Sequence, residues 1–304
     1  MGARDSRVGA RDSRVGAGDS RRVAGTRPGF DTPAMGDRVH GWRKLAGATW
    51  GSPTDPQFYG ELDIDATELL AHVERLRARS DTRVTVTHLI GKAVAHGLRE
   101  VPQFAVRLTG GRAVPRDSLD IFFIIAAGAQ AELNGVKVEH VDRKSAIDVA
   151  KEVARRVEGI ERGADTAFDR GKALLARLPR PVLRAALRGA AWLTSDLNLD
   201  LSRFGMPRQA FGAAMVTSVG MWGVARGFSP LASYYRVPLL VLVGAITDRP
   251  VVRDGAVTVR PMLTLTATVD HRYADGSHAA RLADAVRRYC ADPTAFEPLG
   301  NVAG

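Results

Sequence analysis

The chain has 304 residues, 45% hydrophobic and 25% charged, enough to bury a sizeable core. Its net charge of +10 sits mostly on arginines set beside acids, as in Glu152-Val153-Ala154-Arg155-Arg156-Val157-Glu158; with no zinc-finger spacing, RNP motif or basic run interleaved with aromatics, no nucleic-acid partner is expected. The longest apolar runs, Ile121–Ala127 and Val237–Val243, fall far short of the roughly 20 residues that span a bilayer, and the single Cys290 excludes an intrachain disulfide and a cysteine-built metal site. No apolar leader opens the chain, so a cytoplasmic location is expected and no metal is called for. The surplus positive charge suits a small polyanion such as a phosphate-bearing coenzyme.

Gly2-Ala3-Arg4-Asp5-Ser6-Arg7-Val8 recurs at Gly9–Val15 and more loosely from Gly16 to Val23. Residues 1–34 are polar and nearly without large apolar side chains. They read as a disordered tail, or as sequence upstream of a true start at Met35. The fold is expected over 35–300.

An ordered pattern begins near residue 61. Glu61–Ile64 is expected as a short strand, and Ala66–Arg79 as a helix with Leu69, Leu70, Val73 and Leu76 on one face. Thr87 is the expected cap of a second helix, His88–Glu100, which stops before Pro102. Strands are expected around Phe104–Leu108, Leu119–Ala127 and Val136–Val141, then an amphipathic helix over Ser145–Glu161.

Gly171–Pro207 is the least strand-like part and reads as an inserted helical segment. Leu183, Ala186, Leu187, Ala190, Ala191 and Leu193 form an apolar stripe, with Arg177, Arg180, Arg184 and Arg188 on other faces. Packing of this stripe on its own domain or a neighbouring subunit is expected first. Peripheral contact of 181–195 with an anionic membrane is the alternative.

Phe211–Thr217, Pro238–Ile246, Val251–Val259 and Met262–Val269 are expected as strands, with Asp254-Gly255 as a hairpin turn. In the last of these Leu263, Leu265, Ala267 and Val269 alternate with Thr264, Thr266 and Thr268, which predicts one buried face. Ala279, Leu282, Ala283, Val286 and Cys290 then recur at helical spacing, with Ser277 as the expected N-cap. His271 therefore lies in a strand-to-helix turn, where an imidazole can be positioned to take a proton near neutral pH. Strands and helices without strict βαβ alternation point to an α+β layered domain.

Three segments agree with one family in order and spacing. Thr85-Val86-Thr87-His88-Leu89-Ile90-Gly91-Lys92-Ala93-Val94-Ala95, followed by Val101-Pro102-Gln103-Phe104, resembles the early helix and strand of 2-oxo acid dehydrogenase E2 (dihydrolipoamide acyltransferase) catalytic domains. Phe211–Gly223 resembles their strand with a catalytic hydroxyl and a Gly-x-x-Gly turn. Thr268-Val269-Asp270-His271-Arg272-Tyr273-Ala274-Asp275-Gly276 resembles their active-site signature. The likeness runs from about Arg43 to Pro293.

That resemblance implies a chloramphenicol-acetyltransferase-like two-layer fold, a mixed sheet covered by helices, built as a homotrimer or a larger trimer-based assembly. It also implies acyl transfer between coenzyme A and a dihydrolipoyl-type thiol. His271 would be the general base and Thr217 the donor to the oxyanion. Asp275 would complete the site by bracing the turn against an arginine of the N-terminal segment, with Arg43 the best match and Arg38 the other. Gly276 would let turn and helix pack closely. Asn134 and His278 are weaker polar candidates, expected to be solvated or structural. Because only about forty residues precede the match and hold no lipoyl-lysine context, a stand-alone form is expected, taking any lipoyl group from another protein. Transfer to a small alcohol or amine, or a non-catalytic E2-like scaffold that binds a partner, are the competing readings.

Overall fold

The computed structural model describes residues 56–127, 132–162, 179–204 and 206–297. Its strands, in chain order, are Gln57–Asp65 (β1), Val106–Thr109 (β2), Arg112–Pro115 (β3), Ile121–Ala127 (β4), Glu132–Val138 (β5), Ala214–Ser218 (β6), Leu239–Arg253 (β7) and Ala256–Asp270 (β8). The helices are Thr67–Arg77 (α1), Val86–Glu100 (α2), Ala146–Glu161 (α3), Arg180–Ala191 (α4), Gly276–Ala291 (α5) and the single turn Pro293–Phe296 (α6). β2 and β3 pair with each other, and the other six strands form one sheet in the order β1-β8-β7-β6-β4-β5. β4, β6 and β7 run parallel; β1/β8, β7/β8 and β4/β5 are antiparallel. The expected mixed sheet covered by helices is thus present.

Helices α1, α2, α3 and α5 cover one face. Leu89, Ile90, Ala93, Val94 and Leu98 of α2 are sealed against Phe123 and Val216 of the sheet and Leu282 and Val286 of α5. A second, smaller apolar cluster of Met215, Leu240, Leu231 and Val237 lies on the opposite face, where alternation sends every other residue of β6 and β7.

That second cluster changes the reading of β8. The threonines expected to face water are buried: Thr264, Thr266 and Thr268 are at most 3% exposed. Thr268 donates to the Ser229 carbonyl at 2.7 Å and Thr266 to the Gly227 carbonyl, so residues 227–229 are fastened over this face by hydroxyls.

Other boundaries moved for local reasons. Thr85, extended at φ −127° and ψ 162°, is the N-cap of α2, and its N–H donates to His88 Nδ1 at 3.2 Å; Thr87 is already inside the helix. The buried Phe104 belongs to a 3-10 turn, Pro102–Phe104, and the hairpin β2–β3 closes at Gly110-Gly111, both with positive φ. β5 starts at Glu132 and is over before His140, whose left-handed φ of 52° breaks the strand and sends Val141 into a 3-10 turn. Asp254 and Gly255 take positive φ of 50° and 79° in the expected hairpin turn. β7 and β8 each continue to that turn, past the expected gaps and past a register shift between Val243 and Ile246, with Pro250 opposite Val259 and Pro261 opposite Asp248 in the long hairpin.

The apolar stripe of the inserted segment turns inward. Leu183, Ala186, Leu187 and Ala190 are half-buried and Ala191 is buried, with α4 against the turn Ser233–Tyr235. Past α4 a π turn, Trp192–Asp196, is tied down by three contacts. Arg107 donates to the Ser195 carbonyl at 3.0 Å, Thr109 to the Asp196 carbonyl at 2.7 Å, and Arg236 pairs with the Asp196 carboxylate at 3.1 Å. The described part of the segment packs on its own domain, as first expected.

One buried ion pair binds the C-terminal end to the helical layer. Lys92 Nζ lies 2.9 Å from Glu297 Oε1 and donates to the carbonyls of Val141, at 3.0 Å, and Lys144. Glu297 Oε2 accepts from the Ala146 N–H at 2.8 Å, at the start of α3. Removing one partner strands the other in a dry site. Lys92→Met is therefore expected to lower the unfolding free energy by about 3–5 kcal/mol, read from urea denaturation.

His88 has lost much of its water to Phe123, and that burial lowers its pKa to about 4. Its neutral ring accepts the Thr85 N–H. The unfolded chain binds the proton below pH ~6.5 and the folded chain only near pH 4, so this contribution is present at neutral pH and lost as pH falls between the two. His88→Gln is expected to remove about 1–3 kcal/mol from the stability lost between pH 7 and 4.5, measured as the difference between wild-type and variant urea midpoints.

Candidate active site

His271 is the first residue beyond β8. The Asp270 N–H donates to Pro238 O at 2.9 Å and the His271 N–H to Pro56 O at 2.7 Å, so neighbouring segments hold the turn on both sides. The Asp270 carboxylate accepts from the Arg272 N–H at 3.0 Å and from its guanidinium Nη2 at 2.5 Å. The His271 ring is exposed and meets Phe58 of β1 edge-on, with centroids 5.2 Å apart at 64°. Its backbone is fixed while its ring faces outward.

Asp275 is the N-cap of α5, in place of Ser277. Its carboxylate accepts from the N–H groups of Ser277 and His278 at 2.9 and 3.1 Å, from the Ser277 hydroxyl at 2.7 Å, and meets His278 Nδ1 at 2.6 Å. The Ser277 hydroxyl and the His278 N–H, with the helix N-terminus behind them, hold it well below the usual carboxylate range. Asp275 thus braces the turn through the helix end, and His278 is its structural partner. The expected arginines, Arg43 and Arg38, lie outside the described residues. Gly276 corrects its expectation: a Cβ there would meet nothing within 4 Å, so no close approach demands glycine. Asn134 stands in β5 opposite Ile125, away from the turn in sequence and sheet position.

Thr217 lies in β6 between Ile124 of β4 and Leu242 of β7. It is 9% exposed and shares with Met215 the face that the helices leave uncovered. Among the described residues its hydroxyl has no hydrogen-bond partner, unlike Thr266 and Thr268 on the same face. The Gly-x-x-Gly turn follows at once. Gly220 runs so close to β7 that a Cβ would sit 2.7 Å from Gly244 O, and Gly223 takes φ +74°. These constraints leave Met221 and Trp222 projecting, 74% and 55% exposed.

Strand register separates the two candidate catalytic groups. Thr217 pairs with Leu242, and Leu242 with Thr266, five residues before His271. Two interstrand spacings of ~4.8 Å and five residues of ~3.3 Å put the two backbones roughly 19 Å apart in one chain. One chain does not bring them to a common atom.

Sequence reasoning missed Arg116. Its guanidinium is buried, which lowers its pKa to about 10, and donates to Gln209 Oε1 at 2.7 Å, Arg236 O at 2.8 Å and Val106 O at 3.2 Å. It ties β2 to Gln209, just past the inserted segment, and to the left-handed residue that leads into β7, close to the Tyr273 side chain of the His271 turn. Nothing local in Val114-Pro115-Arg116-Asp117 signals this; its acceptors lie up to 120 residues away.

Among the described residues no group of three or more His, Cys, Asp or Glu side chains could hold a metal ion, and no helix is long and apolar enough to cross a membrane.

If the Asp275 carboxylate acts as a cap, Asp275→Asn should keep the melting temperature and activity close to wild type, because asparagine caps as well. Asp275→Ala should lower both, read by thermal melts beside a turnover assay.

Compared with known proteins, residues 49–169 and 209–297 match the family described as 2-oxoacid dehydrogenases acyltransferase (catalytic domain). The dihydrolipoyllysine-residue acetyltransferase component of the Bacillus subtilis pyruvate dehydrogenase complex is 24% identical over 278 residues, 89% of this chain and 53% of that protein. The chain thus spans about half the length of the curated relatives it matches. Among solved structures, the dihydrolipoamide acetyltransferase of Azotobacter vinelandii, studied for the catalytic roles of a serine, a histidine and an asparagine, superposes with a TM-score of 0.59 at 21% identity, covering 86% of this chain and 93% of that one. The cubic core of a pyruvate dehydrogenase multienzyme complex gives the same TM-score and identity over 86% of this chain and 96% of that one. These likenesses show a shared fold.

Proposed function

The chain belongs to the 2-oxoacid dehydrogenase acyltransferase catalytic-domain family, and from that premise we propose that it is a coenzyme-A-dependent acyltransferase whose active site is completed between two chains. The observation that carries this reading is the register gap. Thr217 offers a buried, unspent hydroxyl and His271 an outward imidazole, yet roughly 19 Å of sheet lies between them in one chain. A neighbouring copy that presents its Thr217 to this His271 closes the gap. A homotrimer, alone or within a larger trimer-based assembly, supplies three such pairs. The projecting Met221 and Trp222 give the Thr217 side apolar surface for such a contact.

In this site His271 takes the proton from the attacking thiol, and the thiolate adds to the thioester carbonyl of acyl-coenzyme A. The carbonyl oxygen becomes an oxyanion, which the Thr217 hydroxyl of the neighbouring chain meets with a hydrogen bond. Collapse of the tetrahedral intermediate expels the coenzyme A thiolate, which takes back the proton from His271. The reaction runs equally in reverse. The acceptor thiol proposed is a dihydrolipoyl group carried by another protein, in keeping with the Bacillus subtilis relative, a dihydrolipoyllysine-residue acetyltransferase. The Azotobacter vinelandii protein, with catalytic roles for a serine, a histidine and an asparagine, offers a parallel to Thr217, His271 and the capping Asp275. A cytoplasmic location accords with acyl-coenzyme A as donor.

The test is release of free coenzyme A thiol from a panel of acyl-coenzyme A donors, with free and protein-bound dihydrolipoamide as acceptors. Turnover that depends on the dihydrolipoyl acceptor is expected. No thiol release with any donor and either acceptor would contradict the proposal. His271→Ala should lower kcat by roughly 100- to 10,000-fold, the span typical of a general base. Thr217→Val should cost about 3 kcal/mol in kcat with little change in KM, since an oxyanion donor acts on the transition state. Unchanged kcat with a raised KM would make Thr217 a mere lining residue.

A further inference from the structure

We propose that the outer face of α4, with the turn that follows it, docks on an anionic lipid surface. From Arg170 to Ser195 the chain carries six basic residues, Arg170, Lys172, Arg177, Arg180, Arg184 and Arg188, and no acid. The run is denser in basic residues than the other long acid-free stretch, Leu201–Thr247, which carries four arginines in 47 residues. The described part of the run explains where the charge goes. Leu183, Ala186, Leu187 and Ala190 of α4 pack inward, and the stripe of Pro181, Arg184, Ala185, Arg188 and Trp192 is exposed, with Val182 beside it. These positions recur every three or four residues, so they form one outward face. Among the described residues no acid pairs with Arg184 or Arg188.

Apolar surface lies at the end of this arginine row. Trp192 is 52% exposed, and Leu197 and Leu199 are 45% and 44% exposed. The three are held together by the backbone: the Leu197 N–H donates to Trp192 O at 2.9 Å and the Leu199 N–H to Leu193 O at 3.0 Å. Of the neighbouring acids, Asp196 is paired with Arg236, while Asp200, hydrogen-bonded to the N–H and hydroxyl of Ser202, keeps its single charge against the row of arginines. A row of arginines beside an exposed tryptophan and two leucines matches the chemistry of an interface. The guanidinium groups meet lipid phosphates, the indole sits at headgroup depth, and the leucines reach the acyl boundary. An acidic protein surface would satisfy the arginines but leaves the three apolar side chains without a purpose. Lipid uses both halves of the patch. Arg107, Thr109 and Arg236 tie the turn to the domain, so docking would hold the acyltransferase domain at the surface rather than a loose tail.

The experiment is co-sedimentation of the full chain with vesicles of phosphatidylcholine alone and with 30% phosphatidylglycerol, at low and high salt. Binding is expected to the anionic vesicles only, and to weaken with salt. Arg184→Glu with Arg188→Glu should weaken it by roughly tenfold or more, and Trp192→Ser should weaken it at unchanged charge. Arg79→Glu, an exposed arginine in the turn after α1, should leave it unchanged. All variants are also sized in solution. Failure to bind anionic vesicles would overturn the proposal. So would full binding by the double variant, or binding indifferent to Trp192. A change of oligomeric state on Arg184→Glu with Arg188→Glu would assign the face to a second copy of the chain, and would equally overturn it.

Discussion

The parallel pairing of β6 with β7, and the antiparallel pairing of β7 with β8, fix Thr217 level with Thr266 but two strands away from it, and five residues short of His271. Register is not negotiable once both faces of these strands are buried, because a one-residue slip would turn every side chain to the wrong layer. β6, β7 and the end of β8 are buried on both faces: helices cover one side, and on the other residues 227–229, held by Thr266 and Thr268, lie over β8 while Leu231 and its apolar neighbours pack on β6 and β7. The positions of the hydroxyl and the imidazole are therefore properties of the core. The separation that makes a one-chain site impossible is as rigid as the sheet itself.

The turn that carries His271 is rigid for a different reason. It is closed by short-range contacts: Asp270 takes Arg272, Asp275 takes the first N–H groups of α5, and the His271 N–H is received by Pro56. Nothing in this ring of contacts uses the imidazole. Such an arrangement spends backbone groups and neighbouring side chains on geometry and leaves the ring free for proton transfer.

What could be read beforehand divides along the same line between local and distant causes. The strand-to-helix turn at His271, the Asp254-Gly255 hairpin and the helices over 67–77, 86–100 and 146–161 were legible, because apolar period and turn residues encode them within a few positions. The burial of Thr264, Thr266 and Thr268 was not. Alternation with threonine looks like a solvated face, and only a segment some 40 residues upstream turns it into an inside. The burial of Lys92 and the contacts of Arg116 were equally illegible, because their carbonyl acceptors lie 49 and up to 120 residues away. Gly276 was over-read from the signature, since its position is open. Asp275 was expected to brace the turn; its partners among the described residues are the N–H groups that open α5, and the expected arginines lie outside those residues. For the site, the two catalytic candidates were found by resemblance; that they stand apart in one chain came from register alone.

The central claim is that each active site takes His271 from one chain and Thr217 from another. Its most direct measurement is complementation by subunit exchange. His271→Ala and Thr217→Ala proteins, each inactive alone, are mixed under conditions in which exchange is verified by mass, and coenzyme A thiol release is followed. Mixed oligomers should regain part of the wild-type rate, because some interfaces then join an intact His271 to an intact Thr217. Verified exchange with no return of activity would contradict the account.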